Sequence, residues 1–374
     1  MSHVATVTID NTEVDADLTD FPVYIDLSDM PASFWDVVTN GGGDIRVFKD
    51  DDSTELAREV VSCLTASDTG ELHVKFTGTL SSSTDTVIHI YADGTSTEPS
   101  ASSTYGSEAV WSDYDVVLHL KSSGLNAVDN TTLDKNAVTF TDSKIGKGAT
   151  QTNVAKSGFD NGTNSMLDSE TISYSAWFKT SADFSQSNGS MLLCQYSMTS
   201  SPWYSAPFYI LMGTTTSDRG KIRSQVRNVN GIQEAKGATQ YNDGAWHHAV
   251  ASYNGTTIKN IVDGSVDGTA SASGTPGASR KQTIGGNWDE AAGNVYVGDY
   301  DEIRITGQFA ISEDWATTEY NNQNSPSTFY TVTAVSSSTT SIKSLNGLAI
   351  ASVKSRNGLA KASIKSINGL SNTS

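Results

Sequence analysis

The sequence has little cysteine and no long apolar run. Only two of its 374 residues are cysteine, Cys63 and Cys194, which is too few for a disulfide framework or a cysteine-based zinc site. The longest unbroken apolar run is Phe208 to Met212, whereas a membrane-spanning helix needs about 20 residues. We therefore expect two unpaired thiols and no helix that crosses a bilayer.

Basic residues are also scarce. Lys+Arg total 24 against 42 for Asp+Glu, so the formal net charge is −18. Such a surface repels phosphate backbones and anionic lipid, and we expect neither a nucleic-acid nor a membrane partner. The first residues lack the basic stretch and apolar core of a secretory signal, so the chain is expected to stay in the compartment where it is made.

Helical periodicity is nearly missing. Short alternating runs rich in Val, Ile, Thr and Tyr are separated by Asn, Asp, Gly and Ser clusters, which is typical of all-β sandwiches. Two segments resemble helices, Pro31 to Val38 and Ser312 to Asn321, the second with Ser312 as N-cap. The Asn254-Gly255 pair predicts a tight hairpin turn between two strands. The expected strands are Val4–Ile9, Val23–Leu27, Ile45–Phe48, Leu72–Phe76, Val87–Tyr91, Thr171–Phe178, Phe208–Met212, Lys221–Val226, Trp246–Tyr253, Thr257–Val262, Lys281–Ile284 and Glu302–Thr306.

Two patterns indicate which faces these strands bury. In Leu72 to Phe76 the apolar residues alternate with His73 and Lys75, which predicts a strand that covers a core on one side only. Trp177 and Trp246 lie within strand-like runs, where a large ring fills the space between two sheets. We expect both tryptophans in the core.

The last segment, residues 331–374, is an internal repeat of opposite charge. It holds five basic residues and no acidic one, and an 11-residue unit recurs three times. Each unit carries an Asn-Gly pair that favours a two-residue hairpin, which would pair Leu345 with Leu348 and Ser344 with Ala349. Such ribbons are marginal alone, so we expect a docking or oligomerisation element; a flexible tail is the alternative. The residues assigned to docking are Ile342, Val353, Ile364, Asn346, Gly347, Asn357, Gly358, Asn368 and Gly369.

Resemblances to known families are carried by the motifs Val7–Asp10, Leu18–Leu27, Gly43–Val47, Tyr105–Ser107, Tyr174–Phe178, Gly244–Val250, Val262–Gly264, Ile284–Gly286, Gly298–Ile305 and the three Ser/Lys/Asn-Gly repeats. Residues 1–113 are similar to an uncharacterised β-sandwich domain that often precedes LamG-like domains in phage virion proteins and in bacterial or archaeal surface proteins. Residues 114–330 are similar to LamG-like concanavalin A-type jelly rolls, and residues 331–374 to repeats that end some phage structural proteins.

The fold class expected is therefore all-β: two tandem β-sandwich (jelly-roll) domains followed by a short hairpin tail. The resemblance implies a non-enzymatic virion protein, a head decoration, fibre or tail adhesin, assembled in the host cytoplasm. Its expected partners are other virion proteins or sister subunits, as a homo-oligomer, together with host-surface glycans. The alternatives are a secreted cell-surface adhesin and a jelly-roll glycoside hydrolase.

Carboxylates on one expected strand are candidates for two roles, catalysis in a hydrolase and calcium binding. Asp299 and Asp301 share a strand face with Glu302 opposite, and in jelly-roll glucanases such a strand supplies nucleophile and general acid. Here the next position on that face is Ile303, a departure from that pattern. The resemblance instead implies calcium, held by Asp129 and Asp301; the alternative is a turn aspartate and a strand-end aspartate.

Aromatic residues in expected loops fit sugar stacking. Trp203, Tyr204 and Trp288 lie between strands, where flat rings could meet sugar C–H groups. They could instead cap the sandwich or contact a neighbouring subunit. The adjacent His247 and His248 point to opposite strand faces and cannot share a metal ion; the remaining strand histidines, His73, His89 and His119, are interpreted as ordinary β residues.

Overall fold

The computed structural model describes most of the chain. The described residues are 1–152, 154, 157–164, 171–183, 190–196, 208–213, 217–228, 231–274, 280–286, 295–335, 344–345, 348–349, 355–356, 359–360, 366–367 and 370–371. They divide into two compact units, Met1–Thr333 and Ala334–Ser374. None of the helices in the described part has the length and apolar character needed to cross a bilayer.

Strands dominate both units. Within the described residues four α-helices occur, α1 (Ala32–Trp35), α2 (Ser107–Val110), α3 (Glu313–Asn324) and α4 (Pro326–Phe329), together with two 3₁₀-helices, Asn11–Glu13 and Leu27–Asp29. The strands are β1 (Ser2–Ile9), β2 (Leu18–Asp26), β3 (Arg46–Lys49), β4 (Glu55–Leu56), β5 (Arg58–Leu64), β6 (Thr69–Leu80), β7 (Thr86–Ala92), β8 (Val116–Leu118), β9 (Asp134–Asn136), β10 (Val138–Asp142), β11 (Lys147–Gln151), β12 (Gly158–Asn164), β13 (Ile172–Lys179), β14 (Ser190–Tyr196), β15 (Phe208–Met212), β16 (Lys221–Asn228), β17 (Gly231–Gln240), β18 (Trp246–Tyr253), β19 (Thr257–Val262), β20 (Ser265–Ser271), β21 (Arg280–Ile284), β22 (Gly298–Thr306), β23 (Tyr330–Ala334), β24 (Ser344–Leu345), β25 (Leu348–Ala349), β26 (Ser355–Arg356), β27 (Leu359–Ala360), β28 (Ser366–Ile367) and β29 (Leu370–Ser371).

The first sandwich packs two antiparallel sheets face to face. One has the order β23-β1-β7-β3-β4 and the other β2-β6-β5. Alternate residues of each strand enter a common core, for example Val7, Ile90, Val23 and Val74, none of which is exposed. Burying side chains of this size contributes about 1.5–3 kcal/mol each.

The second sandwich is larger and is also built from two antiparallel sheets. One sheet has the order β10-β11-β22-β13-β18-β19-β20, with β8 paired to β22, and the other has the order β17-β16-β15-β14-β21-β12-β9. Its core draws on both sheets, with Tyr174, Phe178 and Ile303 from one and Ile222 and Ile284 from the other. This arrangement confirms the all-β sandwich prediction.

The end of the second sandwich returns to the first. Helix α3 follows the last strand of the jelly roll, and β23 then pairs with β1 as an edge strand of the first sandwich. Phe329 and Tyr330 are fully buried in that first core. The division of residues 1–330 at position 113 stays a prediction, because the structure places both sandwiches in one compact unit.

Several local predictions are confirmed and two are wrong. Ser312 caps α3 by accepting from the Trp315 N–H at 3.1 Å, and the Asn254-Gly255 pair turns between β18 and β19, with Gly255 at φ 88°. Trp177 is fully buried, but it lies on the face of β13 opposite the core residues Ala176 and Phe178, so it does not fill the space between the sheets. Trp246 is only half-buried.

The tail unit contains three two-stranded hairpins, β24–β25, β26–β27 and β28–β29. The first pairs Ser344 with Ala349 and Leu345 with Leu348, which confirms the register expected from the Asn-Gly pairs. All nine residues assigned to docking lie outside the described residues. Docking itself stays a prediction.

Candidate functional site

The acidic strand β22 contains a β-bulge. Its pairing with β13 shifts register between Ser175 and Trp177, and Glu302 has a positive φ of 46°. Tyr300 and Ile303 both point into the second core although they are three positions apart. Asp301 and Glu302 must therefore both face away from that core. The expectation that they lie on opposite faces is wrong because the bulge inserts one extra residue.

All three carboxylates of this strand are already bonded. Asp299 accepts from the Thr150 hydroxyl at 2.7 Å. Asp301 accepts from the Ile145 and Glu302 backbone N–H groups, each at 2.9 Å. Glu302 forms an ion pair with Arg304, Oε2 to Nη2 at 3.0 Å. The three carboxylates therefore stabilise the local structure through these bonds.

Helix α3 covers the same face of the sheet. Glu319 accepts from Arg304 Nη1 at 2.8 Å, and Gln323 accepts from the indole N–H of Trp177 at 2.5 Å. On its other side the helix bonds to the first sandwich, because Asn322 pairs with both the N–H and the carbonyl of Tyr24. The outward face of β22 and β13 is therefore buried inside the unit.

The first sandwich contributes a polar face to the same junction. On β6, Glu71 and His73 alternate with the core residues Leu72 and Val74, and Lys75 continues the polar side. His73 is fully buried and Glu71 is 4% exposed. The prediction that this strand covers a core on one side only is wrong, because its polar side packs against the second sandwich.

These elements bring together a set of side chains that we name the junction cluster: Glu59, Glu71, His73, His119, Glu302 and Arg304. His119 Nδ1 lies 2.6 Å from Glu302 Oε1 and 3.4 Å from Glu71 Oε1. His73 Nε2 lies 3.0 Å from Glu71 Oε1 and 3.8 Å from Glu302 Oε2. The two imidazole rings stack with their centroids 4.7 Å apart. Each imidazole thus faces the same two carboxylates.

Burial and mutual charge shift the pKa values of this cluster. Burial, with the nearby Glu302 charge, raises the pKa of Glu71 well above its usual range. Burial alone would lower the pKa of His119, but the charges of Glu302 and Glu59 outweigh it and raise that pKa. Burial would likewise raise the pKa of Glu302, yet His119 keeps it low. Burial lowers the pKa of His73.

The interpretation of His73 and His119 as ordinary β residues is wrong. A signal for this cluster is present in the sequence, since Glu71 and His73 are two apart on a strand and so share a face. The run Asp301-Glu302-Ile303-Arg304 places three charges in an otherwise apolar strand. What the sequence hides is the bulge and the distant partner strand that bring the two runs together.

The remaining predicted site residues lie apart from this cluster or outside the description. Asp129 is exposed and accepts from the N–H and hydroxyl of Thr131 at 3.0 and 2.6 Å. Within the described ranges two groups of side chains could hold a metal ion, four members of the junction cluster and the trio His3, Asp52 and His89. Asp129 and Asp301 belong to neither, and calcium at that pair stays a prediction. Trp203, Tyr204 and Trp288 lie outside the described residues.

The histidine pair on β18 agrees with the expected alternation. His247 contacts Asp263 and Asp243, Nδ1 to Oδ2 at 2.7 Å and Nε2 to Oδ1 at 3.2 Å. His248 is 1% exposed and packs against Trp177, with ring centroids 5.2 Å apart. The two rings therefore occupy different environments.

The fold and the site define a class: an all-β protein whose second sandwich is a concanavalin A-type jelly roll with a covered acidic strand. Residues 152–315 match the family described as the concanavalin A-like lectin/glucanases superfamily, Laminin_G_3. This match confirms the resemblance of the second sandwich to LamG-like jelly rolls. No curated protein matches the chain.

Solved structures with a similar fold come from several kinds of protein. Domain 4 of AbnA, a GH43 extracellular arabinanase from Geobacillus stearothermophilus in complex with arabinotriose, is 17% identical over 55% of this chain and 98% of its own, with a TM-score of 0.40. The CBM40 of the Ruminococcus gnavus IT-sialidase is 14% identical over 44% of this chain and 92% of its own, with a TM-score of 0.34. The botulinum neurotoxin type G receptor binding domain is 10% identical over 56% of this chain, with a TM-score of 0.41, and the match spans 51% of that domain.

Proposed function

We propose that this protein is a non-enzymatic recognition protein of a phage particle, whose jelly roll binds host-surface glycans. The first sandwich would carry the jelly roll as a rigid base, and the tail would dock on other virion proteins or on sister subunits. The protein would be assembled in the host cytoplasm. The family that residues 152–315 match includes both lectins and glucanases, so the choice between binding and hydrolysis falls to the site.

One observation carries that choice: the face with the acidic strand is buried. A glucanase needs two carboxyl groups that reach an open cleft at the scissile bond. Here Asp301 and Glu302 are no more than 1% exposed, and α3 and β6 pack over them. This burial supports binding over hydrolysis.

Hydrolysis is tested by measuring sugar release on a broad panel of polysaccharides. We expect no turnover by the wild type, and the same result for Asp299→Asn. Turnover that disappears in Asp299→Asn would overturn the proposal in favour of a hydrolase.

Glycan binding is tested on an array of host-surface glycans, followed by titration calorimetry on any glycan that binds. The sequence assigns the contact to Trp203, Tyr204 and Trp288, so Trp288→Ala and Trp203→Ala should each weaken binding about fivefold, since a stacked ring contributes on the order of 1 kcal/mol. Tyr105→Ala is the matched control, because Tyr105 is 39% exposed and lies on the first sandwich. Equal losses in all three variants would contradict this assignment.

The particle assignment has a rival in a secreted cell-surface adhesin. The tail repeats support the particle, because the sequence resembles there the repeats that end some phage structural proteins. Antibody labelling of purified particles and of intact cells separates the two. Label on particles is expected; label confined to cell surfaces would favour the adhesin.

A further inference from the structure

Four side chains of the junction cluster, those of Glu71, His73, His119 and Glu302, bring their ligand atoms together around one point. His73 Nε2 and His119 Nδ1 each face oxygens of both Glu71 and Glu302, at 3.0 and 3.8 Å and at 3.4 and 2.6 Å. A ring nitrogen carries at most one proton, which points at one acceptor in good geometry. All four ligand atoms lie within 4.8 Å of one another. A single cation among them would bind all four at once.

The spacing agrees with a tetrahedral metal. Zinc bonds of about 2.0–2.2 Å to nitrogen and oxygen place neighbouring ligand atoms roughly 3.3 Å apart. The His–Glu distances to the two oxygens that would bind the ion, Glu71 Oε1 and Glu302 Oε1, are 3.0, 3.4 and 2.6 Å, so small shifts of side chains suffice. Two imidazoles and two carboxylates are a ligand set that zinc accepts, and four protein ligands close the coordination shell, as in structural sites.

The surroundings of the four ligands fit the same assignment. His119 points Nε2 at Glu59 Oε2, 3.1 Å away, which is the carboxylate contact that orients a metal-bound histidine. The other oxygen of Glu302 is held by Arg304. Glu71 lines a surface pocket of about 480 Å³ between the two sandwiches, which gives an ion a route from solvent.

The charge balance also favours a cation. Among the described residues, the cluster and its immediate neighbours hold five carboxyl groups, those of Glu59, Glu71, Asp301, Glu302 and Glu319, against two groups that carry positive charge, Arg304 and protonated His119. Buried carboxylates that lack a compensating charge are costly. A divalent ion at the centre would offset two of those charges.

The geometry points to a structural zinc site at which Glu71 and His73 of the first sandwich and His119 and Glu302 of the second bind one divalent transition-metal ion. Such an ion would fasten the two sandwiches together, because its ligands come from β6, from the residue after β8 and from β22. This inference concerns the rigidity of the unit and is independent of whether the jelly roll binds glycans.

The test uses the full-length protein. We expect elemental analysis of the purified chain to give close to one zinc per molecule. After removal of metal by dipicolinate and gel filtration, added Co²⁺ should give the intense visible absorption of a tetrahedral site, and added Zn²⁺ should abolish that absorption and raise the melting temperature. His73→Gln should lower the Zn²⁺ affinity at least a hundredfold, whereas His247→Gln, which changes a half-buried histidine elsewhere, should leave it unchanged.

A second variant guards against misfolding of His73→Gln. Glu59→Gln keeps all four ligands and replaces the carboxylate that contacts His119 and accepts from the Trp111 indole N–H. The glutamine amide oxygen can still accept from that indole, so the variant should fold and lose roughly ten- to a hundredfold in affinity. A wild-type protein that is purified without metal, gives no Co²⁺ absorption and melts at the same temperature with and without Zn²⁺ would overturn the inference. Equal Zn²⁺ affinity in the wild type, His73→Gln and His247→Gln would also overturn it.

Discussion

At the scale of single residues, two half-buried histidines, His247 and His3, differ from one another because of their neighbours. His247 is flanked by Asp263 and Asp243, and although burial lowers its pKa, the hydrogen bonds and charges of these two aspartates raise it above the usual value. His3 has the opposite balance, because burial and the nearby His89 lower its pKa. The two residues should therefore give the folded protein opposite pH dependences.

The first prediction concerns that difference. A raised pKa in the folded state stabilises the protein fully below the unfolded value of about 6.5, and this stabilisation is lost as the pH rises through the folded pKa. The free energy of unfolding of the wild type should therefore exceed that of His247→Gln by a larger amount at pH 6 than at pH 8.5. His3→Gln should show the opposite trend. The free energy of unfolding of the wild type minus that of His3→Gln should increase as the pH rises. Urea unfolding at both pH values measures this, and equal differences for His247→Gln at the two pH values would contradict the assignment.

A second residue-scale prediction concerns calcium. If Asp129 and Asp301 bind calcium, millimolar Ca²⁺ added to zinc-saturated protein should raise the melting temperature by several degrees, because a ligand specific to the folded state stabilises it by about 2.7 kcal/mol at a hundred times its Kd. Asp129→Asn should remove this rise. Asp68→Asn, at a turn of the first sandwich, is the control and should keep it. An unchanged wild-type melting temperature would leave both aspartates with their hydrogen-bonding roles only.

At the scale of elements, α3 is the segment that joins the two sandwiches. Asn322 bonds to β2 of the first sandwich and Gln323 to Trp177 of the second, so consecutive residues of the helix contact different sheets. The helix has little apolar periodicity to mark it as buried; its buried residues include Thr318, Glu319, Asn322 and Gln323. Polar side chains are used here because both partners offer polar groups that would be costly to bury unpaired.

The third prediction tests the start of α3. Ser312→Ala removes the acceptor for the Trp315 N–H and should lower the free energy of unfolding by about 1 kcal/mol. Ser312→Thr, which keeps a hydroxyl acceptor, should lose much less. Chemical denaturation followed by tryptophan fluorescence measures both. A loss in Ser312→Thr as large as in Ser312→Ala would show that the cap is not the cause.

At the level of single elements, the sequence predicts strands, turns and caps that are determined by residues close together in the chain. The alternation of β18 and β19, the Asn254-Gly255 turn and the Ser312 cap each follow from neighbouring residues, and the structure confirms them. The bulge at Glu302 was not predictable, because a positive φ in a charged residue is set by the strands that pair with it. For the same reason Trp177 was assigned to the wrong face, since its burial comes from α3, more than a hundred positions away in the chain.

At the scale of the whole molecule, the junction cluster could not be predicted because its residues lie far apart in the chain. Its members come from residue 59 to residue 304, so no local pattern contains them all. The sequence does contain a charged strand, β6, whose alternation of polar and apolar residues predicts that one face is exposed. A polar strand face with both signs of charge and histidine is compatible with solvent, and only the packing of one sandwich on the other turns it into a buried site.

The tail presents the last prediction at this scale. Its basic repeats fold into hairpins whose strands are two residues long, and ribbons of this kind are marginal in water unless they pack on a partner. Deleting residues 335–374 should therefore abolish incorporation into particles or self-association, while glycan binding and the melting temperature of residues 1–334 stay as in the full chain. Co-purification with particles measures incorporation, and sedimentation velocity measures self-association. A Gly/Ser segment of equal length in place of the tail is the matched control and should fail in the same way; incorporation of either altered chain at the wild-type level would mean that the particle holds the protein through its sandwiches.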